Sequence, residues 1–278
     1  MARHTRAALI PAYWHLLSLD APTVAVLWGW SLARAAGVEA ATLAVLGLGT
    51  WLIYIADRLL DGRAPERRHE LRDRHYFHAR HARALLIAAA AACAPLVFLI
   101  TQMPAIERRG DACLFAVVLV YSAVVHQRFV RIRFPRELAV GIVFACACAV
   151  PAWSAAVDLR AQVVSLDAVF AALCFLNCTA IHAWEHPRDG RRWSRVSLLA
   201  GSVAVAAIAV IFPMHTVEGI RLGTAILASA LLLLALDRDH HRALKKRSSD
   251  GALSPFALRI LADAALLTPA LLLIPWKL

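Results

Sequence analysis

Two pairs of carboxylates stand where long apolar stretches of the chain end. Asp57 and Asp61 follow one stretch, and Glu185 and Asp189 follow another. A charged group at the edge of a membrane is costly to bury, so it is usually kept for an ion, a ligand or an ionic partner. The spacing of four residues predicts that the two carboxylates of each pair share one helical face. Together they could hold Mg²⁺ through a few oxygen ligands and leave its other positions to phosphate oxygens.

Other polar residues near these pairs are suited to bind a phosphorylated ligand. Asn177 and His182 lie on the turns before the second pair. Guanidinium groups bind phosphate through paired hydrogen bonds. The candidate arginines are Arg58, Arg128, Arg136 and Arg188. With an apolar cavity behind them to take a hydrocarbon chain, these groups predict a prenyl diphosphate as the ligand. The alternative is that the arginines face only lipid headgroups.

The elements that must position these residues are membrane-spanning helices. Of the 278 residues, 60% are apolar and the mean hydropathy is +0.62, which favours an all-α polytopic membrane protein over a soluble one. Nine apolar segments are long enough to span a bilayer, and we expect one helix for each. They are 13–33, 40–60, 83–104, 111–128, 137–157, 166–184, 195–213, 220–236 and 256–275.

The distribution of positive charge predicts the orientation of these helices. With the N-terminus inside, 24 of the 30 lysines and arginines lie on the inner side, as cytoplasmic loops require. We therefore expect an integral protein of a bacterial inner membrane, with a cytoplasmic N-terminus and an external C-terminus. Both carboxylate pairs then face the cytoplasm. The net charge of +11 is explained by this basic face against membrane lipid, and it requires no nucleic-acid partner.

The remaining features predict a single transmembrane domain over residues 1–278. Segment 63–81 reads as an amphipathic cytoplasmic cap, in which histidines such as His78 are solvated, and segment 237–255 reads as a basic cytoplasmic loop. Arg259 is the expected partner of Asp263, an aspartate one turn further along the ninth span, and this pairing could be structural or functional. The six cysteines lack the spacing of a metal site and are interpreted as small apolar packing residues.

The segment Thr50–Asp61 resembles the first aspartate-rich region of the UbiA-type intramembrane prenyltransferases. Tyr121 and Arg128 near the end of the fourth span, and Arg136 at the start of the fifth, also resemble that family, and the resemblance implies that they bind the substrate. Nine spans, an inner N-terminus and acidic motifs closing the second and sixth spans add to the likeness. The resemblance covers essentially the whole chain. It implies a bundle of about nine transmembrane helices with a central cavity open to the cytoplasm.

The resemblance also implies an activity and the residues that perform it. A prenyl group would pass from a prenyl diphosphate to a lipophilic acceptor, typically an aromatic ring in that family, with Mg²⁺ bound by the catalytic carboxylates Asp57, Asp61, Glu185 and Asp189. Tyr54 could shield the allylic cation through its ring face, and the favoured alternative is that it serves ordinary packing or interface anchoring. Each acidic motif keeps two of the family's three acids, which leaves two alternatives open. One is a terpene cyclase that uses the same diphosphate site without an acceptor, and the other is a non-catalytic lipid-binding protein of the same fold.

Overall fold

The structure is a computed structural model that describes residues 6–34, 37–61, 73–126, 136–155, 160–186, 195–246 and 253–273. Helices account for 91% of these residues, and no strand occurs among them. The predicted all-α class is therefore confirmed. In chain order the helices are α1 (Arg6–Leu16), α2 (Asp20–Ala33), α3 (Ala40–Asp61), α4 (Asp73–Arg80), α5 (Ala82–Gln102), α6 (Ala105–His126), α7 (Arg136–Ala155), α8 (Arg160–Glu185), α9 (Arg195–Ile211), α10 (Val217–Lys246) and α11 (Pro255–Ala265), with a 3-10 helix over Thr268–Leu273.

Five helices are long and apolar enough to cross a membrane, namely α3, α5, α7, α8 and α10. The bent pair α1–α2 raises the number to six if it counts as one span. A chain with this many long apolar helices has the character of an integral membrane protein. The nine predicted apolar segments all lie largely on described helices. That each of the nine crosses the membrane stays a prediction.

The chain groups into two compact units by its internal contacts. Unit 1 comprises residues 1–26 and 39–104, and unit 2 comprises residues 27–38 and 105–278. In unit 1, α3 packs against α5 and α4, and α4 also contacts α1. Helix α5 buries Leu85 but exposes large apolar side chains such as Phe98, which is 63% exposed. An apolar surface of that kind suits a hydrocarbon environment.

Helix α8 is the central element of unit 2, where it packs against α7, α9, α10 and α11. Its contact with α7 is close because Gly141 has no side chain. A Cβ added there would lie 2.9 Å from the backbone nitrogen of Phe175. On another face, Phe170 of α8 stacks on Trp28 with their ring centroids 4.0 Å apart. The position of α8 is therefore well determined by packing within its unit.

The first predicted span is not one continuous helix, which corrects the sequence prediction. Helices α1 and α2 are separated by Leu17–Leu19 and bent by 90°. Pro22 explains the break, because its ring would clash with the carbonyl of Ser18 and it has no N–H to bond there. Ser18 adopts a left-handed φ of 56°. The indole N–H of Trp51 donates to the freed carbonyl of Leu17 over 3.1 Å.

The last predicted span is also interrupted. Helix α11 ends at Ala265, four residues before Pro269, and a 3-10 helix follows. The indole N–H of Trp28 donates to the carbonyl of Leu266 over 2.9 Å, so this freed carbonyl is satisfied as well. Thr268 donates its hydroxyl to the carbonyl of Ala225 over 2.8 Å, which ties the 3-10 helix to α10.

The two predicted cytoplasmic segments are partly described. Helix α4 is the described part of segment 63–81, and within it His78 is fully buried rather than solvated. Helix α10 continues to Lys246, so segment 237–255 begins as helix and not as a loop. The residues after Asp237 include Arg, Ala, Leu and Lys, which are good helix formers and extend the apolar helix that precedes them.

Candidate functional site

The first acidic motif lies in the last turns of α3. The sequence predicts this position, because the motif ends an apolar segment. Asp57 is partly exposed. Asp61 is the last residue of the helix, and its side chain lies outside the described part of the structure. One turn before Arg58, Tyr54 places its ring centroid 5.6 Å from the guanidinium carbon. The aromatic face of Tyr54 is therefore used by a cation of the same helix.

Arg58 points into unit 1 and is 5% exposed. Its Nε donates to the hydroxyl of Ser18 over 2.7 Å, and that hydroxyl lies 3.3 Å from Nε2 of His78. A guanidinium committed in this way is a poor candidate for binding a diphosphate. The break after α1 supplies Arg58 with this buried partner, and the binding of substrate by Arg58 stays a prediction.

A second buried contact lies beside this one. The imidazole Nδ1 of His15 donates to Oδ2 of Asp20 over 2.7 Å, and Asp20 and Arg58 attract each other electrostatically. Together with Ser18 and His78 these residues form what we call the buried cluster of unit 1. Buried charges are stable when they are paired and hydrogen-bonded. The cluster joins α1, α2, α3 and α4 and suits a structural role.

The second acidic motif begins at the last residue of α8. Oε1 of Glu185 accepts a hydrogen bond from Nη1 of Arg259 on α11 over 2.7 Å, and the two side chains are 14% and 17% exposed. Helix α8 ends at Glu185, because Pro187 cannot donate to the preceding turn. The helical face that Glu185 and Asp189 are predicted to share stays a prediction. Asp189 lies outside the described residues.

Asn177 provides a further link between α8 and α11. Its Nδ2 donates to Oδ1 of Asp263 over 3.2 Å, and the Asn177 side chain is buried. The sequence had assigned Arg259 to Asp263 within one helix. In the structure Arg259 bonds Glu185, and Asn177 bonds Asp263. Long-range packing of α8 on α11 makes these cross-helix contacts, which local spacing cannot reveal.

His182 faces α7 on another side of α8. Its Nδ1 lies 3.8 Å from Oε1 of Glu137, with side-chain exposures of 57% and 30%. One turn further on, the ring of His186 stacks on that of His182 with centroids 4.7 Å apart. His182, His186 and Glu137 therefore form an accessible polar group at the end of α8.

A fully buried carboxylate that the sequence analysis did not single out fixes the same end of α8. Oδ1 of Asp237 accepts from the indole N–H of Trp184 over 3.1 Å, and its Oδ2 accepts from the hydroxyl of Ser197 over 2.6 Å. His241 lies 3.6 Å away on the next turn of α10. The sequence signal for this residue was its position directly after the apolar segment 220–236. An ionisable group at the end of a membrane helix rarely occurs without a partner.

The other predicted ligands are distributed as follows. Arg136 is the exposed first residue of α7, and Tyr121 is partly buried on α6. Arg128 and Arg188 lie outside the described residues. Asp57 belongs to unit 1 and Glu185 to unit 2, so the convergence of the two acidic motifs on one cavity mouth stays a prediction.

The described groups suit the binding of hard cations and anions at helix ends. Carboxylate oxygens such as those of Asp57 and Glu185 are the ligands that Mg²⁺ prefers. Arg259 neutralises Glu185 in the structure, so an ion bound there would have to share or displace this guanidinium. A guanidinium released beside an acidic motif would be placed to bind phosphate oxygens.

Comparison of this chain with protein-family models, with curated proteins and with solved structures finds no match.

Proposed function

We propose that the chain is a Mg²⁺-dependent membrane prenyltransferase of the UbiA type. It would transfer a prenyl group from a prenyl diphosphate to a lipophilic, aromatic acceptor. The observation that carries this proposal is the position of carboxylates at the ends of two long apolar helices. Asp57 and Asp61 lie in the last turns of α3, and Glu185 ends α8. Isolated carboxylates are rare in such helices unless they bind something.

The proposed topology is finer than what the helices alone establish. We propose nine spans, an N-terminus in the cytoplasm, an external C-terminus and a location in a bacterial inner membrane. A central cavity would open to the cytoplasm, where both acidic motifs would lie. The excess of lysine and arginine on the inner side of this arrangement supports it.

Each part of the proposed site has a defined role. Asp57, Asp61, Glu185 and Asp189 would hold Mg²⁺, and their oxygen donors fit that ion. When bound, Mg²⁺ supplies neutralisation of the charge that develops on the departing diphosphate. Arg128, Arg136 and Arg188 would bind the remaining phosphate charge. Arg58 would join them by leaving Ser18, and we add Arg259, whose guanidinium contacts Glu185 and is 17% exposed.

The residues of the chain would also control what surrounds the reacting carbon. The apolar helices would exclude water from the allylic group, so that the acceptor and not water attacks it. Tyr54 would shield the allylic cation with the ring face that is not in contact with Arg58. Asn177 would help to orient the end of α8 through its bond to Asp263.

A second function is favoured by a specific observation. Glu185 is paired with Arg259 at 2.7 Å, and Arg58 is engaged with Ser18 at 2.7 Å. A non-catalytic membrane protein that binds lipid would use its polar groups in this way, as links between helices. A terpene cyclase would share the diphosphate site and would differ from the transferase in needing no acceptor.

The deciding experiment measures Mg²⁺-dependent diphosphate release by the full chain in detergent, from farnesyl or geranylgeranyl diphosphate. Release that requires an added aromatic acceptor supports the transferase, and release without an acceptor supports the cyclase. The absence of release with either substrate supports the non-catalytic protein. Asp57→Ala is expected to lower the rate at least about a hundredfold, because the bound ion supplies several kcal/mol of charge stabilisation. Glu39→Ala, an exposed carboxylate before the other end of α3, is the matched control.

A further inference from the structure

We propose that three arginines at one end of unit 2 bind the headgroup of an anionic membrane lipid. They are Arg195 on α9 and Arg238 and Arg242 on α10. All three side chains are exposed, and within the described part of the chain their guanidinium groups make no ion pair. Guanidinium groups without a carboxylate partner are suited to bind phosphate oxygens. None of the three belongs to the proposed diphosphate site, so this inference does not rest on the proposed function.

A hydrogen bond between α9 and α10 shows that these arginines lie at the same end of the unit. The two helices pack against each other, and the hydroxyl of Ser197 donates to Oδ2 of Asp237 over 2.6 Å. Arg195 lies two residues before Ser197, and Arg238 directly follows Asp237. The other carboxylate oxygen of Asp237 accepts from the indole N–H of Trp184 over 3.1 Å. This acidic side chain is therefore directed into the unit, while the arginines around it stay exposed.

On both helices the exposed surface changes from leucine to arginine at this level. Leu198 on α9 is 61% exposed, and Arg195 lies on the preceding turn. Leu231 on α10 is 49% exposed, and Arg238 lies two turns later on the same face of that helix. In a membrane an exposed leucine lies in the hydrocarbon, and an exposed charged side chain lies outside it. The two helices therefore place the boundary between hydrocarbon and headgroups at the level of the hydrogen bond that joins them.

The length of α10 carries its final turns past this boundary. Its 30 residues extend over about 45 Å, whereas the hydrocarbon core of a bilayer is about 30 Å thick. The final turns present Arg238 and Arg242, four residues apart on one helical face. Asp239 is the only exposed carboxylate among the described residues of these turns, so positive charge is in excess. A lipid with a net negative headgroup fits this charge better than phosphatidylcholine, whose ammonium group offsets its phosphate.

Binding of phosphatidylglycerol to the full chain in a neutral detergent tests this proposal, with bound lipid counted by native mass spectrometry. A variant with Arg195→Gln, Arg238→Gln and Arg242→Gln is expected to bind the tightest phosphatidylglycerol at least about tenfold more weakly. The reason is that each arginine near an anionic lipid contributes about fivefold to affinity. Binding of phosphatidylcholine should change less than about twofold. Asp239→Asn should tighten phosphatidylglycerol binding by up to about fivefold, which is a gain that a misfolded protein would not show.

The matched control removes the same charge from exposed arginines elsewhere in the chain. A variant with Arg34→Gln, Arg108→Gln and Arg109→Gln should bind phosphatidylglycerol within about twofold of the unmodified chain. Equal losses in the two triple variants would mean that net charge alone attracts the lipid, and would overturn the proposal. Unchanged affinity in the first triple variant would overturn it as well, as would weaker binding by Asp239→Asn. A thermal melt of each variant checks that the exposed substitutions leave the fold intact.

Discussion

The buried cluster of unit 1 and the side chains of Glu185 and His182 at the end of α8 in unit 2 differ in how deeply they are buried. The side chains of the buried cluster of unit 1 are at most 5% exposed: His15, Ser18, Asp20, Arg58 and His78. At the end of α8, by contrast, Glu185 is 14% and His182 is 57% exposed. Groups that no ion or ligand can reach are suited to hold helices together. Groups that remain accessible at a helix end can exchange their partners.

This difference bears on how a motif should be interpreted. Asp57 and Arg58 are adjacent in the chain, and the sequence assigned both to ligand binding. Arg58 faces inward to Ser18, while Asp57 stays partly exposed. A motif of five residues can therefore contain one residue that holds the fold and another that is accessible to an ion. The following predictions test this distinction.

The largest effect is expected for Arg58→Ala. Removal of this guanidinium takes a nearby positive charge from buried Asp20, which keeps only its contact with His15, and takes from Ser18 the donor at Nε. Breaking a buried ion pair on one side costs roughly 3–5 kcal/mol in free energy of unfolding. The measurement is reversible unfolding in mixed detergent. Arg80→Ala, an exposed arginine on α4 of the same unit, should cost less than about 0.5 kcal/mol. Similar losses for the two variants would mean that the buried cluster contributes no more to the free energy of unfolding than an exposed arginine does.

Asp237→Ala should have the next largest effect and would sharpen the comparison within unit 2. The substitution deprives Trp184 and Ser197 of their acceptor in a fully buried position. The loss of the two hydrogen bonds should cost about 2–4 kcal/mol in free energy of unfolding, at roughly 1–2 kcal/mol for each, because the hydroxyl of Ser197 is only partly buried. Asp237→Asn keeps one carbonyl oxygen and should recover about half of the loss. Equal losses for the alanine and asparagine variants would indicate that the charge matters more than the hydrogen bonds.

Much of the fold follows from hydropathy, but the interruptions do not. The apolar segments predicted helices, and helices occupy them. Pro22 and Pro269 mark the two breaks, yet Pro95 lies inside α5 without interrupting it. Proline alone is therefore an insufficient signal. At each break the freed carbonyl accepts a hydrogen bond from a tryptophan on a distant part of the chain, Trp51 in one case and Trp28 in the other.

The candidate site was predictable in its residue types and less so in its pairings. The carboxylates were expected at helix ends, and Asp57 and Glu185 lie there. The partners of Glu185 and Asp263 come from sequence separations of 74 and 86 residues, and local spacing carries no information about such contacts. Asp237 was overlooked because it directly follows an apolar segment and resembles the start of a polar loop.

A third prediction concerns the packing that holds α8 in place. Gly141→Ala places a Cβ 2.9 Å from the backbone nitrogen of Phe175, and a backbone atom cannot move aside as a flexible side chain can. The helices must separate, at a cost of about 1–3 kcal/mol. Gly201→Ala on α9 is the matched control, because nothing lies within 4 Å of its added Cβ. That variant should gain about 0.5–1 kcal/mol from the lower flexibility of alanine. A loss in both would refute the close contact of α7 and α8.

The smallest effect is expected for the pair formed by Glu185 and Arg259. Both side chains are partly exposed, so solvent screens their attraction, and the pair should contribute about 0.5–1 kcal/mol to the free energy of unfolding. A double-mutant cycle with Glu185→Ala and Arg259→Ala measures this coupling directly. A weak coupling means that Glu185 can leave Arg259 for an ion at little cost, as the proposed Mg²⁺ site requires. A coupling of about 3 kcal/mol or more, as for a buried pair, would mean that Glu185 holds helices together, as the buried cluster of unit 1 does. Glu185 would then be a structural residue, and the end of α8 would lose its described Mg²⁺ ligand.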